Sequence, residues 1–231
     1  MKASTIAALN HAMATRQPVA FAKNLADGAE FLLPDPSAPT ALNEAGRVAL
    51  AADKTGTLVV GNASWFIEAR NPSPRLILVG AVHIAQALAP VATMSGFEVI
   101  LVDPRQGFGN QDRFPGATMI NDWPDEALER LQPDMRTAVV TLTHDPKLDD
   151  PALDRALKSK AFYIGALGSR KTHASRLERL TALGHDATGL ARIRGPVGLD
   201  IAAVTTPEIA LSIIAEIVAV RRGGRLGIRN Q

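Results

Sequence analysis

The chain has 231 residues, of which 46% are hydrophobic and 21% charged, and its formal net charge is +2. These values are typical of a soluble globular protein with one ordinary domain and a small attachment, and the nearly balanced charge argues against a nucleic-acid binder. Cysteine is absent, which excludes disulfides, thiolate metal sites and a cysteine nucleophile. Neither a signal peptide nor an apolar run of the roughly 20 residues that span a bilayer is recognisable, so we expect a cytoplasmic protein without stable membrane insertion.

Residues 1–70 are predicted to form a small α+β cap. A helix is expected over residues 4–14, and short β-like runs separated by Gly, Pro and Asp follow it. These runs are 18–22, 30–33, 47–51, 57–60 and 64–68. Two prolines within residues 69–74 mark the boundary to a second domain over residues 75–231.

In this second domain strands alternate with helices, which is the pattern of a doubly wound parallel sheet. The predicted strands are 75–79, 98–102, 117–120, 137–142 and 161–166, and the predicted helices are 82–94, 125–131, 150–160, 170–183 and 206–222. Continuous apolar runs such as Arg75–Val79 indicate strands that are buried on both faces. We therefore predict a Rossmann-like α/β domain that binds its ligand at the carboxyl ends of the strands, where the strand order reverses.

The turn after the first strand of this domain reads Gly80-Ala-Val-His-Ile-Ala85, in the place of a dinucleotide-binding G-x-G-x-x-G turn. Val82 replaces the second glycine, which normally lets the backbone approach a pyrophosphate. Asp103 follows at the distance expected of a ribose-binding acid. Gly80 and His83 are therefore candidate ligand contacts, and a turn kept for the fold alone is the alternative.

Polar residues also follow the second and fourth predicted strands. Asp103 and Arg105 come after the second, where the carboxylate can accept ligand hydroxyl or N–H groups and the guanidinium can pair with phosphate. A local Asp–Arg pair is the alternative. His144 and Asp145 follow the fourth, and such a pair can serve as a general base or a metal ligand. Because no second histidine stands at metal-ligand spacing, we predict no metal centre and assign no catalytic residue.

A second glycine-containing turn, Gly165-Ala-Leu-Gly-Ser-Arg-Lys171, leads from a strand into a helix. Gly165 and Gly168 shape the turn, and Ser169 is predicted to be the N-cap of the helix. Arg170 and Lys171 add two positive charges to the free N–H groups of the helix N-terminus, so we predict that an anion binds here. A plain capped helix start is the alternative.

The segment Gly195-Pro-Val-Gly-Leu-Asp200 predicts a shaped loop near the same edge of the sheet, with Asp200 as a candidate ligand contact. Thr206 is predicted to cap the last helix, with Pro207 at its first position. Isoleucine and valine recur at helical spacing after it, which indicates a buried face.

Four ordered segments carry a family resemblance. They are Thr-His-Asp at 143–145, Tyr-Ile-Gly-Ala-Leu-Gly-Ser-Arg-Lys at 163–171, Gly-Pro-Val-Gly-Leu-Asp-Ile at 195–201 and Thr-Pro-Glu-Ile-Ala-Leu-Ser-Ile-Ile-Ala-Glu-Ile at 206–217. Together they resemble the C-terminal Rossmann-like domain of the xanthine dehydrogenase accessory factors of the XdhC/CoxI type. The similarity runs from about residue 74 to residue 224.

This resemblance implies a cofactor chaperone rather than an enzyme that turns over a substrate. Members of that family bind the molybdopterin-type molybdenum cofactor, protect it while its sulfido ligand is installed, and pass it to an apo molybdenum hydroxylase such as xanthine dehydrogenase or carbon monoxide dehydrogenase. They are commonly homodimers and also meet a cysteine desulfurase. We accordingly expect the cofactor's phosphate, or the pyrophosphate of its cytosine dinucleotide form, at residues 165–171, and its pterin near Asp103 or Asp200.

Two features depart from the family pattern. The family's first turn usually reads Gly-Ala-Gly-His-Val-Gly, whereas here it contains Val82 and Ala85. Many members also have an N-terminal domain with a cysteine, so we expect a cysteine-bearing partner module to supply the sulfur chemistry that this chain lacks. Two other hypotheses stay open: an NAD(P)-dependent oxidoreductase that uses Asp103, and a non-catalytic scaffold subunit of the maturation machinery.

Overall fold

The computed structural model describes residues 2–105, 107 and 111–224, so that residues 225–231 of the predicted second domain lie outside the described residues. The chain divides into two compact units, Met1–Pro72 and Ser73–Gln231. Each unit has its own hydrophobic core. Within the described residues, no helix is long and apolar enough to cross a membrane.

The N-terminal unit is a four-stranded antiparallel sheet with two helices. Its elements are α1 (Ala3–Ala14), β1 (Val19–Asn24), β2 (Glu30–Leu33), α2 (Thr40–Ala52), β3 (Gly56–Val60) and β4 (Ala63–Arg70). The strand order is β2-β1-β4-β3. Leu42 of α2 packs with Ala20, Leu33, Trp65 and Ile67 of the sheet to form the core, which confirms the predicted small α+β architecture.

One helix of this unit differs from the sequence prediction. A strand is predicted over residues 47–51, and this prediction is wrong because these residues belong to α2. The helix buries Leu42, Gly46 and Ala49, which stand three or four positions apart as on one helical face. A four-residue apolar run, here 48–51, does not distinguish a strand from a buried helix segment, and the alanines on both sides of it favour the helix.

The C-terminal unit is a six-stranded parallel sheet between two layers of helices, which confirms the predicted Rossmann-like class. Its elements are β5 (Arg75–Val79), α3 (His83–Met94), β6 (Glu98–Val102), a 3₁₀ turn (Gln111–Arg113), β7 (Thr118–Ile120), α4 (Pro124–Leu131), β8 (Thr137–Thr141), α5 (Pro146–Leu157), β9 (Tyr163–Ala166), α6 (Arg170–Ala182), α7 (Ala187–Leu190), β10 (Ile193–Arg194) and α8 (Thr206–Arg222). The strand order β10-β9-β8-β5-β6-β7 reverses between β5 and β8, as in dinucleotide-binding folds.

The sheet separates two apolar cores, and β5 contributes to both. Leu76 and Leu78 face the core that contains residues of α3 and α8, whereas Ile77 and Val79 face the core that contains residues of α4, α5 and α6. Every residue of β5 and β8 is buried, as predicted for strands covered on both faces. Trp123, which precedes α4, is by contrast 50% exposed.

Helix starts are where the prediction for this unit was least accurate. Helix α5 begins at Pro146 instead of residue 150, because the Asp145 carboxylate accepts the Lys147 N–H at 2.9 Å and caps it. The cap of α8 is Thr205 rather than the predicted Thr206. The Thr205 hydroxyl accepts the Glu208 N–H and the Glu208 carboxylate accepts the Thr205 N–H, which together form a capping box.

Candidate functional site

The residues predicted to contact a ligand lie along one edge of the parallel sheet. Strands β9, β8, β5 and β6 are neighbours in that order, and their carboxyl ends meet at the same edge because all four run in parallel. The residues in or just after these strand ends, and after β10, are Gly80, His83, Asp103, Arg105, His144, Asp145, Gly165, Gly168, Ser169, Arg170, Lys171 and Asp200. The strand order reverses within this set, which is where open α/β sheets bind ligands.

Gly80 is required by a close approach of two loops at the reversal point. Its φ of +112° is a backbone conformation that favours glycine. A Cβ added at Gly80 would lie 2.5 Å from Cγ2 of Thr143, which follows β8. The glycine of the first turn therefore has a packing role here, and His83 is the exposed first residue of α3 beside it.

The Asp103 carboxylate is fully buried and engaged by its own neighbourhood. It accepts the Ala81 N–H at 2.8 Å, the Arg105 N–H at 3.0 Å, and the Arg105 side chain through Nε at 2.9 Å and Nη2 at 2.7 Å. Burial alone would raise the pKa of Asp103, but the hydrogen bonds from Arg105 and Ala81 outweigh it and hold the pKa below its ordinary value. The structure thus contains the local Asp–Arg pair that the sequence left as an alternative.

Arg105 is hydrogen-bonded to Asp103 at the first turn and interacts electrostatically with acidic residues at the start of α5. Its pKa is raised, mainly by the hydrogen bonds with Asp103 and further by the charges of Asp145 and Asp149. Its side chain is 36% exposed, so it presents positive charge at the surface of the edge. His144 is exposed, has a left-handed φ of 62°, and in the described part of the chain makes no hydrogen bond to Asp145. His144 and Asp145 are therefore not arranged as a base and its orienting carboxylate.

The second turn joins β9 to α6 and has no acidic residue in its first helical turn. The Ser169 hydroxyl accepts the Thr172 N–H at 3.1 Å, which confirms the predicted N-cap. Gly168 has a φ of +139°, and Arg170 and Lys171 are exposed at the start of the helix. The turn therefore combines a positive helix end with two accessible cations, as an anion site requires.

Arg176, which the sequence reasoning missed, lies beneath this turn and is only 1% exposed. Its Nη2 donates to the Leu167 carbonyl at 2.8 Å and lies 3.6 Å from Oδ2 of Asp149. Burial lowers the pKa of Arg176 and raises that of Asp149, so burial opposes the charge on both residues. A signal existed in the sequence, because Arg176 stands four residues before the buried Leu180, within the inward-facing stripe of α6.

The loop after β10 is tied to α8 by a buried carboxylate. Glu216 Oε2 accepts the Tyr163 hydroxyl at 2.5 Å and the Gly198 N–H at 2.9 Å. Burial, followed by the interaction with Glu216, raises the pKa of Tyr163, so its hydroxyl stays a donor. Gly165 is buried against Tyr163, and Asp200 is exposed in the loop. The loop after β10 is therefore held in place by hydrogen bonds within the protein.

The chemistry of the edge is that of binding. Within the described residues, no group of three or more His, Asp or Glu side chains is placed to hold a metal ion. The edge carries the exposed His144, Asp145 and Asp200, and its donor groups are backbone N–H groups, the exposed Arg170 and Lys171, the partly exposed Arg105 and the buried Arg176. Such a set is suited to holding an anionic ligand through charge-assisted hydrogen bonds.

Comparison with known proteins gives a family and two informative relatives. A family model described as the XdhC Rossmann domain matches residues 76–217. The molybdenum cofactor insertion chaperone PaoD of Escherichia coli (strain K12) is 34% identical over 167 residues, which are 72% of this chain and 46% of that protein. A probable xanthine dehydrogenase subunit of Bacillus subtilis (strain 168) is 35% identical over 160 residues, or 69% of this chain and 46% of that protein.

The fold as a whole also has a counterpart among solved structures. A crystal structure described as a xanthine dehydrogenase from Bacillus halodurans matches with a TM-score of 0.70 at 23% identity. The match covers 96% of this chain and 65% of that one. The chain spans less than half the length of the two curated relatives, and the matched segment contains β5 through most of α8.

Proposed function

The chain belongs to the family of the XdhC Rossmann domain, and we propose that it binds a molybdenum cofactor and assists its insertion into a molybdenum hydroxylase. The observation that carries this proposal is the turn at the start of α6 with its two exposed cations, which lies inside the segment that the family model matches. The names of the two relatives support it, since one is a molybdenum cofactor insertion chaperone and the other belongs to a probable xanthine dehydrogenase.

The residues of the edge fit the chemistry of such a cofactor. The molybdopterin type carries a phosphate, and its dinucleotide form carries a pyrophosphate. The N–H groups at the start of α6, together with Arg170 and Lys171, would hold that group, because a helix N-terminus and nearby cations favour anions. A carrier must also release its cargo, and a few charge-assisted contacts at an exposed edge allow both steps.

Asp103 contributes to this proposal indirectly. Its carboxylate oxygens are engaged by N–H groups of the protein, so its role would be to hold Arg105 in position rather than to contact the pterin. Arg105 would then offer its exposed part to the cofactor. The direct pterin contact predicted for Asp200 stays a prediction.

The same geometry does not favour the NAD(P) alternative. A dinucleotide-binding turn needs a small residue where Val82 stands, and it needs free carboxylate oxygens for the ribose hydroxyls. Both oxygens of Asp103 already accept N–H groups. A cytosine dinucleotide form of the cofactor, a homodimer, a cysteine desulfurase partner and a cysteine-bearing partner module stay predictions of the family resemblance.

The test is to produce the full chain in a host that makes molybdenum cofactor and to measure bound molybdenum by mass spectrometry and pterin by fluorescence after oxidation. We expect near-stoichiometric amounts of both. The Arg170→Ala/Lys171→Ala variant should retain at least about tenfold less, because charge-assisted hydrogen bonds are worth about 1.5–3 kcal/mol each.

The matched control is Arg130→Ala/Lys158→Ala, which removes two exposed cations that are paired with Asp122 and Asp154 outside the site. It should retain as much cofactor as the unmodified chain. Absence of molybdenum and pterin from the unmodified chain, while a known carrier is loaded in the same host, would favour the scaffold hypothesis.

A further inference from the structure

Two buried arginines of the C-terminal unit differ in how completely their donors are used. Arg75 donates through Nη1 to the Leu131 carbonyl, through Nη2 to the Gln132 carbonyl and through Nε to the Thr137 hydroxyl. Arg176 is buried more deeply, yet within the described residues its Nε and Nη1 have no hydrogen-bond partner. Because buried polar groups are nearly always paired, two unpaired guanidinium nitrogens need an explanation.

The neighbouring carboxylate does not provide that explanation. Asp149 Oδ1 accepts the Thr143 hydroxyl at 2.6 Å, and Asp149 Oδ2 lies 3.6 Å from Nη2 of Arg176, beyond hydrogen-bonding distance. Oδ2 itself has no partner among the described residues. Arg176 and Asp149 are therefore not joined by a hydrogen bond, and a third group is needed to accept from the unpaired nitrogens of Arg176.

A cavity lies where that third group would sit. It has a volume of about 250 Å³ and lies between the first turns of α5 and α6, where His144, Asp149, Lys171, Thr172 and Arg176 line it. This is several times the roughly 30 Å³ that one water molecule occupies in the liquid, so it has room for a small polyatomic anion and its hydration. Arg179, also on its wall, is already paired with Asp150 through a contact of 2.5 Å.

Two cations thus remain to act on an occupant of the cavity, one at its base and one at its rim. Arg176 lines the cavity and has two buried nitrogens without a hydrogen-bond partner, and Lys171 is exposed in the first turn of α6 with no ion pair, both within the described part of the chain. The N-terminal end of α6 adds its own positive dipole. Among the described residues that line the cavity, Asp149 is the acidic one, and its Oδ1 already accepts the Thr143 hydroxyl.

We infer that this cavity is a subsite for one phosphate group and that Arg176 is the buried residue that binds it. The phosphate oxygens accept from the Arg176 guanidinium below and from Lys171 and the Thr172 hydroxyl at the rim. The phosphate accepts the hydrogen bonds of Arg176 that the Asp149 carboxylate does not accept. This inference rests on the proposed function for the source of the phosphate, the molybdenum cofactor, but not for the site itself.

The test uses the full chain in phosphate-free buffer and inorganic phosphate as the probe, with binding followed by isothermal titration calorimetry and by the shift of the thermal midpoint. Potassium chloride at matched ionic strength corrects for screening. We expect saturable phosphate binding by the unmodified chain and at least tenfold weaker binding by Arg176→Met. Because Arg176→Met also leaves the Leu167 carbonyl without its donor and the buried Asp149 without its cation, its thermal midpoint without phosphate should fall below that of the unmodified chain.

Arg75→Met is the matched control, since Arg75 is a buried arginine whose Nε, Nη1 and Nη2 each donate a hydrogen bond within the protein. It should lower the thermal midpoint and leave the phosphate dissociation constant within about twofold. The exposed Lys171→Gln variant, which cannot disturb the core, should weaken phosphate binding severalfold and decides the matter if Arg176→Met does not fold. The inference is overturned if the unmodified chain shows no saturation, or if Lys171→Gln and a folded Arg176→Met bind phosphate like the unmodified chain.

Cofactor loading in the same variants separates this inference from the proposed function. Phosphate binding that depends on Arg176, in a chain that never acquires molybdenum or pterin, would support the subsite with free phosphate or another phosphate ester as its ligand and would refute the proposed function. Full cofactor loading of Arg176→Met would leave the proposed function intact and refute the subsite as the place of the cofactor's phosphate.

Discussion

The two glycine-containing turns at the edge of the parallel sheet differ in their hydrogen bonding. At the first turn, the Asp103 carboxylate accepts the Ala81 N–H and the Nε and Nη2 groups of Arg105, so both carboxylate oxygens are satisfied within the protein. Beneath the second turn, Arg176 and Asp149 both retain unpaired atoms within the described part of the chain. We call the first turn closed because both oxygens of its carboxylate are occupied, and the second open because the charged groups beneath it keep unpaired atoms.

Position in the fold therefore does not by itself say which turn has polar groups left unpaired for a ligand. The first strand-to-helix turn is where dinucleotide-binding sheets usually hold a phosphate. Here the carboxylate of that turn is hydrogen-bonded within the protein, whereas buried guanidinium nitrogens without a partner among the described residues lie two strands away, beneath the turn after β9. The comparison can be tested by opening the first turn or by altering the charge of the second.

Opening the first turn with Asp103→Ala should have the largest effect. It leaves the Ala81 N–H unpaired and removes the partner of Arg105, so we expect a loss of about 3 kcal/mol in the free energy of unfolding, measured by urea denaturation. Asp122→Ala, which breaks an exposed pair with Arg130, should cost less than about 1 kcal/mol. Equal losses in the two variants would show that the first turn is not closed in solution.

Gly80→Ala tests the close approach between the first turn and Thr143. The positive φ and the approach to Thr143 Cγ2 should together cost about 2 kcal/mol. Thr143→Ser removes Cγ2 but keeps the hydroxyl, so in the double variant it should recover about 1 kcal/mol of that loss, measured as the coupling energy of a double-mutant cycle. Strict additivity would contradict the contact.

The pH dependence of stability should have opposite signs at the two turns. The pKa of Asp103 lies below its ordinary value of 3.8 in the folded protein, so the stability it contributes is present above pH 3.8 and is lost as the pH falls through its folded pKa. The pKa of Asp149 is raised, so the folded state holds that proton more tightly, and stability falls as the pH rises from 3.8 to its folded pKa.

Urea unfolding of Asp103→Asn and Asp149→Asn between about pH 2.5 and pH 7 measures both signs. The stability of the unmodified chain minus that of the variant should rise with pH for Asp103→Asn and fall with pH for Asp149→Asn. Neither slope can exceed about 1.4 kcal/mol per pH unit, because one proton is involved. A fall for Asp103→Asn or a rise for Asp149→Asn would refute the assigned direction.

The smallest effect is expected at the cap of α6. Ser169→Ala should cost about 1 kcal/mol of stability because the Thr172 N–H loses its partner. Ser169→Asp keeps a cap but adds negative charge where the phosphate would bind, so it should keep the stability and weaken phosphate binding severalfold. Thr205→Asp, at the cap of α8, is the control and should leave phosphate binding unchanged. Unaltered binding by Ser169→Asp would place the ligand elsewhere.

Most of the fold was predictable because its signals are local. The continuous apolar runs at 75–79 and 98–102 gave β5 and β6 with their observed bounds. The elements that were missed, α7 and β10, are four and two residues long, too short to show a period. The strand predicted at 47–51 was wrong because so short a run shows no period by itself, and the helical spacing appears only when Leu42, Gly46 and Ala49 are considered together.

The candidate site was predictable in its location and not in its hydrogen bonding. Strand ends identify Asp103, Arg105 and the residues around Lys171, because parallel strands bring their carboxyl ends to one edge. Sequence cannot show that Asp103 is occupied by Ala81 and Arg105, since those contacts depend on how the turn folds back. It gives only a weak hint of Arg176, as a charge within an apolar stripe.

Each of the two units contains one tryptophan, so the two units can be distinguished by their fluorescence. Trp65 is buried in the N-terminal core, whereas Trp123 is half-exposed at the start of α4 in the other unit. The single tyrosine is hydrogen-bonded to a carboxylate, a contact that quenches its emission. Trp65→Phe and Trp123→Phe variants therefore give each unit its own fluorescent reporter, so that the unfolding of the two units can be followed separately in the intact chain.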